Sequence, residues 1–249
     1  MPRYFLELSY KGEKYSGFQV QQNAATIQSE VEKAFAVFFR NPVELTGSSR
    51  TDAGVHALQN YFHFNWDEEF PQQAIYNLNA ILPTDIVVKS VREVGADAHC
   101  RFHAFAREYK YFIYDAKNPF IDDRAWYFPY TLNIDLLNSC AQKILTNNDF
   151  SAFSKRNTQV KTFQCSILES EWLQQDGCLV YRVKANRFLR GMVRGLVGTM
   201  VRVARGGMDM GTFDQLLHTP QIATADFSAP AKGLFLITVS YPHSIFKHE

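Results

Sequence analysis

Between Tyr4 and Val94 the chain switches between strand and helix periodicities in a fixed order, and that order leaves few folds open. Tyr4 to Tyr10 is rich in aromatic residues with partial alternation and reads as a strand. Thr26 is an N-cap for a helix through Phe39, because Ile27, Val31, Ala34, Phe35 and Phe38 recur at helical spacing. Pro42 follows the helix stop. Val43 to Thr46 is then a short strand and Leu58 to Phe64 its return. Pro71 stands at the first position of a second helix with Ala74, Ile75 and Leu78 as its apolar face, and Asp85 to Val94 closes with another strand. The order is strand, helix, strand, strand, helix, strand.

The second half repeats that order without a detectable sequence repeat. Arg107 to Asp115 is a strand in which Tyr109, Tyr111 and Ile113 share one face, and Asn133 to Leu145 a helix. Thr162 to Leu173 and Leu179 to Ala185 form a hairpin around Gln174–Gly177, whose Asp-Gly pair is a strong turn signal. A helix from about Phe188 to Val203, a shorter one near Phe213 to Leu217, and a last strand from Leu234 to Tyr241 complete the pattern. The expectation is an α+β chain of two ferredoxin-like (RRM-like) βαββαβ units. Residues 1–105 form the first and residues 106–249 the second. Their antiparallel sheets are expected to join into a platform, with helices on one side and a cleft between the units.

Apolar residues make up 46% and charged residues 20%, a globular composition with ample material for a core. No run approaches the roughly 18–20 apolar residues that span a bilayer. Residues 1–7 reach an acid before any long apolar stretch, so no signal peptide is expected. Cys100, Cys140, Cys165 and Cys178 are widely spaced, with no C-x-x-C pair, and read as buried thiols of a cytoplasmic protein that holds no metal. The net charge of +1 conceals an asymmetry: residues 1–105 carry 9 basic against 12 acidic residues, the remainder 17 against 13. Between Gly177 and Met208 stand Arg182, Lys184, Arg187, Arg190, Arg194, Arg202 and Arg205 with no acid, a block that suits a polyanion or a solvated basic face.

The segment Gly47-Ser48-Ser49-Arg50-Thr51-Asp52-Ala53-Gly54-Val55-His56-Ala57 is too polar and flexible for a buried strand. It sets an arginine two residues from an aspartate on a backbone able to turn sharply. An ionised carboxylate beside a sugar carbon can act as nucleophile or stabilise an oxocarbenium-like centre. An Asx-turn in a surface loop is the plainer account of the same residues.

The run also closely resembles the catalytic loop of the TruA family of tRNA pseudouridine synthases, whose R-T-D-A-G-V-H aspartate falls on Asp52. Further matches follow in the family's order. Tyr10-Lys11-Gly12 and Tyr15-Ser16-Gly17-Phe18-Gln19-Val20-Gln21 resemble its opening, with Phe18 for the usual tryptophan. Arg107-Glu108-Tyr109-Lys110-Tyr111 resembles its R-x-Y-x-Y strand. Ala185 to Gly198 resembles its A-N-x-F-x-x-x-M-V-R-x-I-V-G helix. Ala229-Pro230-Ala231-Lys232-Gly233-Leu234-Phe235-Leu236 resembles its A-P-x-x-G-L-x-L motif, although Lys232 stands where many members carry histidine.

The resemblance implies isomerisation of uridines in the anticodon stem-loop of tRNA, typically positions 38 to 40, by a homodimer. It gives Asp52 as the nucleophilic catalytic carboxylate and Arg194 as its ionic partner. Arg50 assists extrusion of the base, Tyr109 stacks on it, and Leu234 lies against its pocket. The reaction requires no cofactor and no metal. Whether Asp52 attacks sugar or base, or opens a glycal route, stays open. Helical spacing would bring Arg187 and Arg190 near the face of Arg194, as RNA-binding residues. Gly191, Gly195 and Gly198 are costly inside a helix, about 1 kcal/mol each, unless something packs closely on them. Residues 156–161 are a polar insertion that meets the tRNA stem or is a plain loop.

Three rival readings are weaker. A non-catalytic RNA-binding module would use the aromatic strands and basic helix, but leaves Asp52 facing phosphates. A serine hydrolase using Ser48 or Ser49 with His56 lacks a G-x-S-x-G context. A metal site at His99, Cys100 and His103 has no further ligand indicated, and Arg101 lies between.

Overall fold

The computed structural model describes residues 1–155, 160–219 and 225–247. It is an α+β chain with, among the described residues, five α-helices, α1 (Ile27–Phe39), α2 (Ala74–Ile81), α3 (Ile134–Leu145), α4 (Met192–Ala204) and α5 (Met210–His218). The chain divides into two compact units, Met1–Phe105 with Leu236–Glu249, and Ala106–Phe235. Residues 156–159 of the expected polar insertion lie outside the described residues. Among the described residues no helix is long and apolar enough to cross a membrane.

In the first unit, β1 (Arg3–Tyr10) pairs antiparallel with both β3 (His56–Asn65) and β4 (Ile86–Val94). The two-residue β2 (Thr46–Gly47) pairs with the outer side of β3, giving the order β4-β1-β3-β2, and β9 (Leu234–Ser240) also runs beside β3. Alternation along β1 sends Tyr4, Leu6, Leu8 and Tyr10 to one face, all buried. There Tyr4 stacks near Phe64, and Phe35 of α1 meets Phe64 edge-on at 5.4 Å. Phe5, on the opposite face, packs against Tyr61, Tyr241 and Phe246, so this strand is covered on both sides.

Helix α1 starts where its sequence predicts. The Thr26 hydroxyl accepts from the Ser29 amide while the Ser29 hydroxyl accepts from the Thr26 amide, a reciprocal cap. The expected strand over residues 43–46 shrinks to Thr46–Gly47. The cause lies in α1, whose Gln28 amide donates to the Leu45 carbonyl and whose Glu32 carboxylate accepts from the Leu45 amide. Side chains there replace a strand ladder in satisfying the backbone.

In the second unit, β5 (Ala106–Tyr114), β8 (Cys178–Ala185) and β7 (Ile167–Gln175) form antiparallel pairs, and β6 (Trp126–Tyr127) runs parallel to β5. The β7–β8 turn has Asp176 at φ 51° and Gly177 at φ 75°, the paired positive angles of a type I′ hairpin. Strand β7 begins later than expected because the preceding residues pair elsewhere: Phe150 donates to the Phe163 carbonyl and Cys165 to that of Asn148. Asn138 of α3 both donates to the Trp172 carbonyl and accepts from its amide, fixing that helix on β7. Helix α4 is buried on nearly every side, and the Trp172 indole donates to Met200 Sδ at 3.4 Å.

Helix α4 departs most from expectation. It begins at Met192, not near Phe188, so Arg187 and Arg190 precede it and share no helix face with Arg194. Gly191 stands at φ +73° as its N-cap, a left-handed conformation no helix interior contains, and Lys155 donates to the Arg190 carbonyl just before it. Gly195 and Gly198 are inside the helix for the reason a close approach supplies. A side chain on Gly195 would meet the Phe227 ring at 2.9 Å, and one on Gly198 would overlap the Asp226 carbonyl.

Candidate active site

Asp52 sits on the short connection between β2 and β3. Its neighbours are locked and it is half-exposed, which is the arrangement a reacting group requires. On one side the Thr51 hydroxyl lies 2.7 Å from the Tyr10 hydroxyl, both buried. The Asn60 amide group donates to the Tyr10 hydroxyl at 3.2 Å and to the Ser49 carbonyl at 2.8 Å, while its oxygen accepts from the Ser49 amide. On the other side Val55 donates to the Asp52 carbonyl and the Phe18 amide donates to the Thr51 carbonyl. Backbone and buried hydroxyls thus fix the residues on both sides of Asp52.

The glycines of the opening motifs explain themselves against this loop. A side chain on Gly12 would overlap the Val55 carbonyl. Gly17, at φ +107°, packs against the loop, and a side chain on it would come within 3.1 Å of the Thr51 carbonyl oxygen and 3.4 Å of the Ala53 nitrogen. Phe18, substituting for tryptophan, stacks on Phe62 of β3 at 4.6 Å and 15°. Sequence reading linked these segments only by resemblance; the geometry makes them the loop's bed.

Arg50 is exposed beside the loop and lines a small polar pocket of about 220 Å³ with Phe18, Gln19, Gln28, Glu44, Leu45, Thr46 and Gly47. Ser48 and Ser49 are buried. The Ser48 hydroxyl donates to the Cys100 carbonyl, and Tyr241 lies 3.0 Å from its oxygen. His56 Nδ1 accepts from the Gly12 amide at 3.2 Å. These contacts hold the loop's ends in place, and among the described residues neither serine hydroxyl bonds a histidine ring as a nucleophile–base pair would.

Tyr109, Arg187, Arg190, Arg194 and Leu234 belong to the second unit. Tyr109 on β5 is half-exposed and meets the Phe188 ring edge-on at 5.0 Å. Arg194 leaves the first turn of α4 and donates from Nε to the Ala229 carbonyl at 2.7 Å. The next carbonyl, that of Pro230, accepts from Tyr111 at 2.7 Å. Burial pushes the Tyr111 phenol far up, and the nearby Arg194 charge only partly offsets this. Gly233 must be glycine here, since a side chain would meet the Tyr111 ring at 2.8 Å. Leu234 is 6% exposed at the start of β9. The structure therefore gathers Tyr111, Arg194 and the 229–234 segment into one cluster, with Tyr109 two residues along the same strand. Arg187 is half-buried and Arg190 exposed in the loop before α4.

The basic block is more neutral than its sequence implies. Arg182 on β8 donates to Glu108 at 3.1 Å, to Glu171 at 3.0 Å and to Glu169, while Lys184 pairs with Glu169 at 3.4 Å. The acids come from β5 and β7, neighbours in the sheet that a linear charge count cannot see.

The chain is similar to known proteins along most of its length. The family described as tRNA pseudouridine synthase matches residues 8–103 and 140–242. The chain is 38% identical over 251 residues to the tRNA pseudouridine synthase A of Parabacteroides distasonis, covering all of both chains. It is 41% identical over 248 residues to that of Bacteroides fragilis, covering 98% of each. To that of Staphylococcus aureus it is 36% identical over 237 residues, 94% of this chain and 89% of the relative.

Proposed function

The chain belongs to the tRNA pseudouridine synthase family and is an isomerase acting on tRNA uridine, and from that premise we propose that it modifies uridines of the anticodon stem-loop, positions 38 to 40, with Asp52 as catalytic carboxylate. One observation carries the assignment of Asp52: a half-exposed carboxylate on a loop whose flanking residues are held by the Tyr10–Thr51 and Asn60–Ser49 hydrogen bonds. Such a group is positioned before substrate arrives, so little reorganisation is needed at the reacting sugar.

In the reaction the N-glycosidic bond breaks, the uracil turns over, and carbon 5 bonds to the sugar. The hydrogen of carbon 5 leaves as a proton and the freed ring nitrogen gains one, so nothing is oxidised or reduced. Arg194 pairs with Asp52 in this reading. With Nε committed to the Ala229 carbonyl, its terminal amino groups are the ones that meet a carboxylate and fix its orientation. Tyr109 stacks on the target base, Leu234 bounds its pocket, and Arg50 fills the space the extruded base leaves. Arg187 and Arg190 contact phosphate. The remaining parts of the reading are two ferredoxin-like units, supported in the first by the order β4-β1-β3-β2, and a cytoplasmic homodimer.

The test is tritium release from unmodified tRNA carrying uridine tritiated at carbon 5. Wild type should release tritium with no metal or cofactor added, and Asp52→Ala should bind tRNA and release none. Release by Asp52→Ala at the wild-type rate would remove Asp52 from the chemistry.

A further inference from the structure

We propose that His63, His99 and Cys100 form a binding site for zinc, or a divalent ion of similar softness, within the first unit. Their donor atoms all lie within 4.8 Å of one another. His63 comes from β3 and the other two from the turn after β4, 37 residues later, so nothing in the linear spacing announces the site. His63 Nδ1 is 3.1 Å from Cys100 Sγ, and the His63 and His99 rings are 4.5 Å apart.

A tetrahedral zinc with bonds of about 2.0–2.3 Å separates its ligand atoms by roughly 3.3–3.8 Å. The His63–Cys100 pair therefore has to open by only a few tenths of an ångström. One thiolate and two imidazoles are the borderline-soft set that favours zinc over magnesium or calcium. His63 and Cys100 are buried while His99 is half-exposed, so the ion has an entry side and a fourth position for water.

The surroundings fix the ligands as outer partners of a metal site do. The Cys100 carbonyl accepts from both Ser48 and Tyr241, at 2.9 and 2.5 Å. The thiol itself lies 3.1 Å from the Thr46 carbonyl, its present acceptor. On binding, the thiol proton passes to solvent and the sulfur bonds the metal. Arg3 lies beside the same turn, its guanidinium donating to the Ala98 carbonyl and to Asn65, and the thiolate charge lessens the repulsion between that guanidinium and the ion. His103, the third ligand the linear sequence offers, lies outside the cluster; its Nδ1 accepts from the His99 amide inside the turn, where no helix forms, and His99 Nδ1 accepts from the Arg101 amide at 3.1 Å, a contact His99 gives up on binding the ion. The ion would tie this turn to β3 next to the strand leading into the Asp52 loop, as a structural brace and not a reactant.

The experiment uses the full chain, stripped with a chelator and titrated with cobalt(II) alone, without tRNA. The expected result is one equivalent bound, with a near-ultraviolet thiolate-to-cobalt charge-transfer band and the visible bands of tetrahedral cobalt, all abolished by zinc(II). Cys100→Ser should lose the charge-transfer band. His99→Gln, at the half-exposed ligand, should weaken binding by more than the roughly 10- to 100-fold that loss of an outer partner costs. His103→Gln should bind as wild type does. Absence of the band in folded wild type overturns the site, as does a band that survives Cys100→Ser. Should Cys100→Ser not fold, unchanged affinity in His99→Gln is equally decisive against it.

Discussion

The hydroxyls of Tyr10 and Thr51 lie 2.7 Å apart in the interior of the first unit, one residue before Asp52. Tyr10 ends β1, so this contact ties the loop to the central strand of its sheet. Tyr10→Phe keeps the ring and leaves both Thr51 and the Asn60 amide short of a partner. The expected cost is about 1–3 kcal/mol of stability. Turnover should fall by up to about a hundredfold, the scale of a small misplacement of a reacting group, with tRNA affinity near wild type. Denaturant unfolding with single-turnover tritium release measures both. Unchanged turnover would mean that this hydroxyl pair does not position Asp52.

Gly12 is required for space. Its α-carbon lies so close to the Val55 carbonyl that even a methyl group must displace the loop. Gly12→Ala should cost about 1–3 kcal/mol, as overpacking does, and reduce turnover more than Tyr10→Phe does. Gly177→Ala offers the contrast. It sits in open space at φ +75°, so it strains the hairpin turn but should leave turnover unchanged.

Arg182 and Arg190 stand eight positions apart in one basic block, but their settings differ. Arg182 is held by three glutamates, whereas Arg190 is exposed before α4. Arg190→Ala should weaken tRNA binding and lower the slope of log affinity against log salt by about one. Arg182→Ala should leave that slope unchanged while destabilising the sheet, since its glutamates then repel one another. Equal slopes for the two variants would return Arg190 to the solvated surface.

What sequence reading reached here was local. Thr26 capped its helix, Asp176-Gly177 made its turn, and the alternation in β1 gave its two faces, because each rests on neighbours within a few residues. Failures came where a distant element satisfied the backbone. Gln28 and Glu32 took Leu45 out of a strand, and Gly191 at positive φ delayed α4 past Arg187 and Arg190. The same holds for the site. The motif around Asp52 stands out in the sequence, but the Tyr10 and Asn60 contacts that hold its loop, and the nearness of His63 to Cys100, appear only once β1, β3 and the turn after β4 are assembled.

Buried thiols supply a check on the second unit. Burial pushes the Cys140 thiol up to about 12 and that of Cys165 up to about 11. Neither carries an appreciable thiolate fraction at neutral pH, and the thiolate is the nucleophile. Iodoacetamide should therefore label them only after unfolding, as read by mass spectrometry of the labelled peptides. Rapid labelling of Cys140 in the native protein would contradict its placement among Leu137, Ala141 and Ile144 of α3.

Asp85, at the turn into β4, links acid stability to the segment that beds the loop. Burial raises its pKa, but the Tyr15 hydroxyl donating at 2.5 Å and Lys14 at 3.2 Å together outweigh this and hold the carboxyl below its usual range. The folded value is thus lower than the unfolded one of about 3.9. Its contribution is fully present above the unfolded value and is lost as pH falls through the folded one. Lys14 is 75% exposed, so that ion pair is screened and contributes little. Most of the effect comes from Tyr15, which follows the Gly12 turn and donates its amide to the Gly12 carbonyl. Asp85→Asn keeps an acceptor for Tyr15 but cannot titrate, so the loss of stability below about pH 4 should become shallower, with little dependence on salt. An acid limb identical to that of wild type in urea unfolding at several pH values would show that Asp85 carries no such linkage.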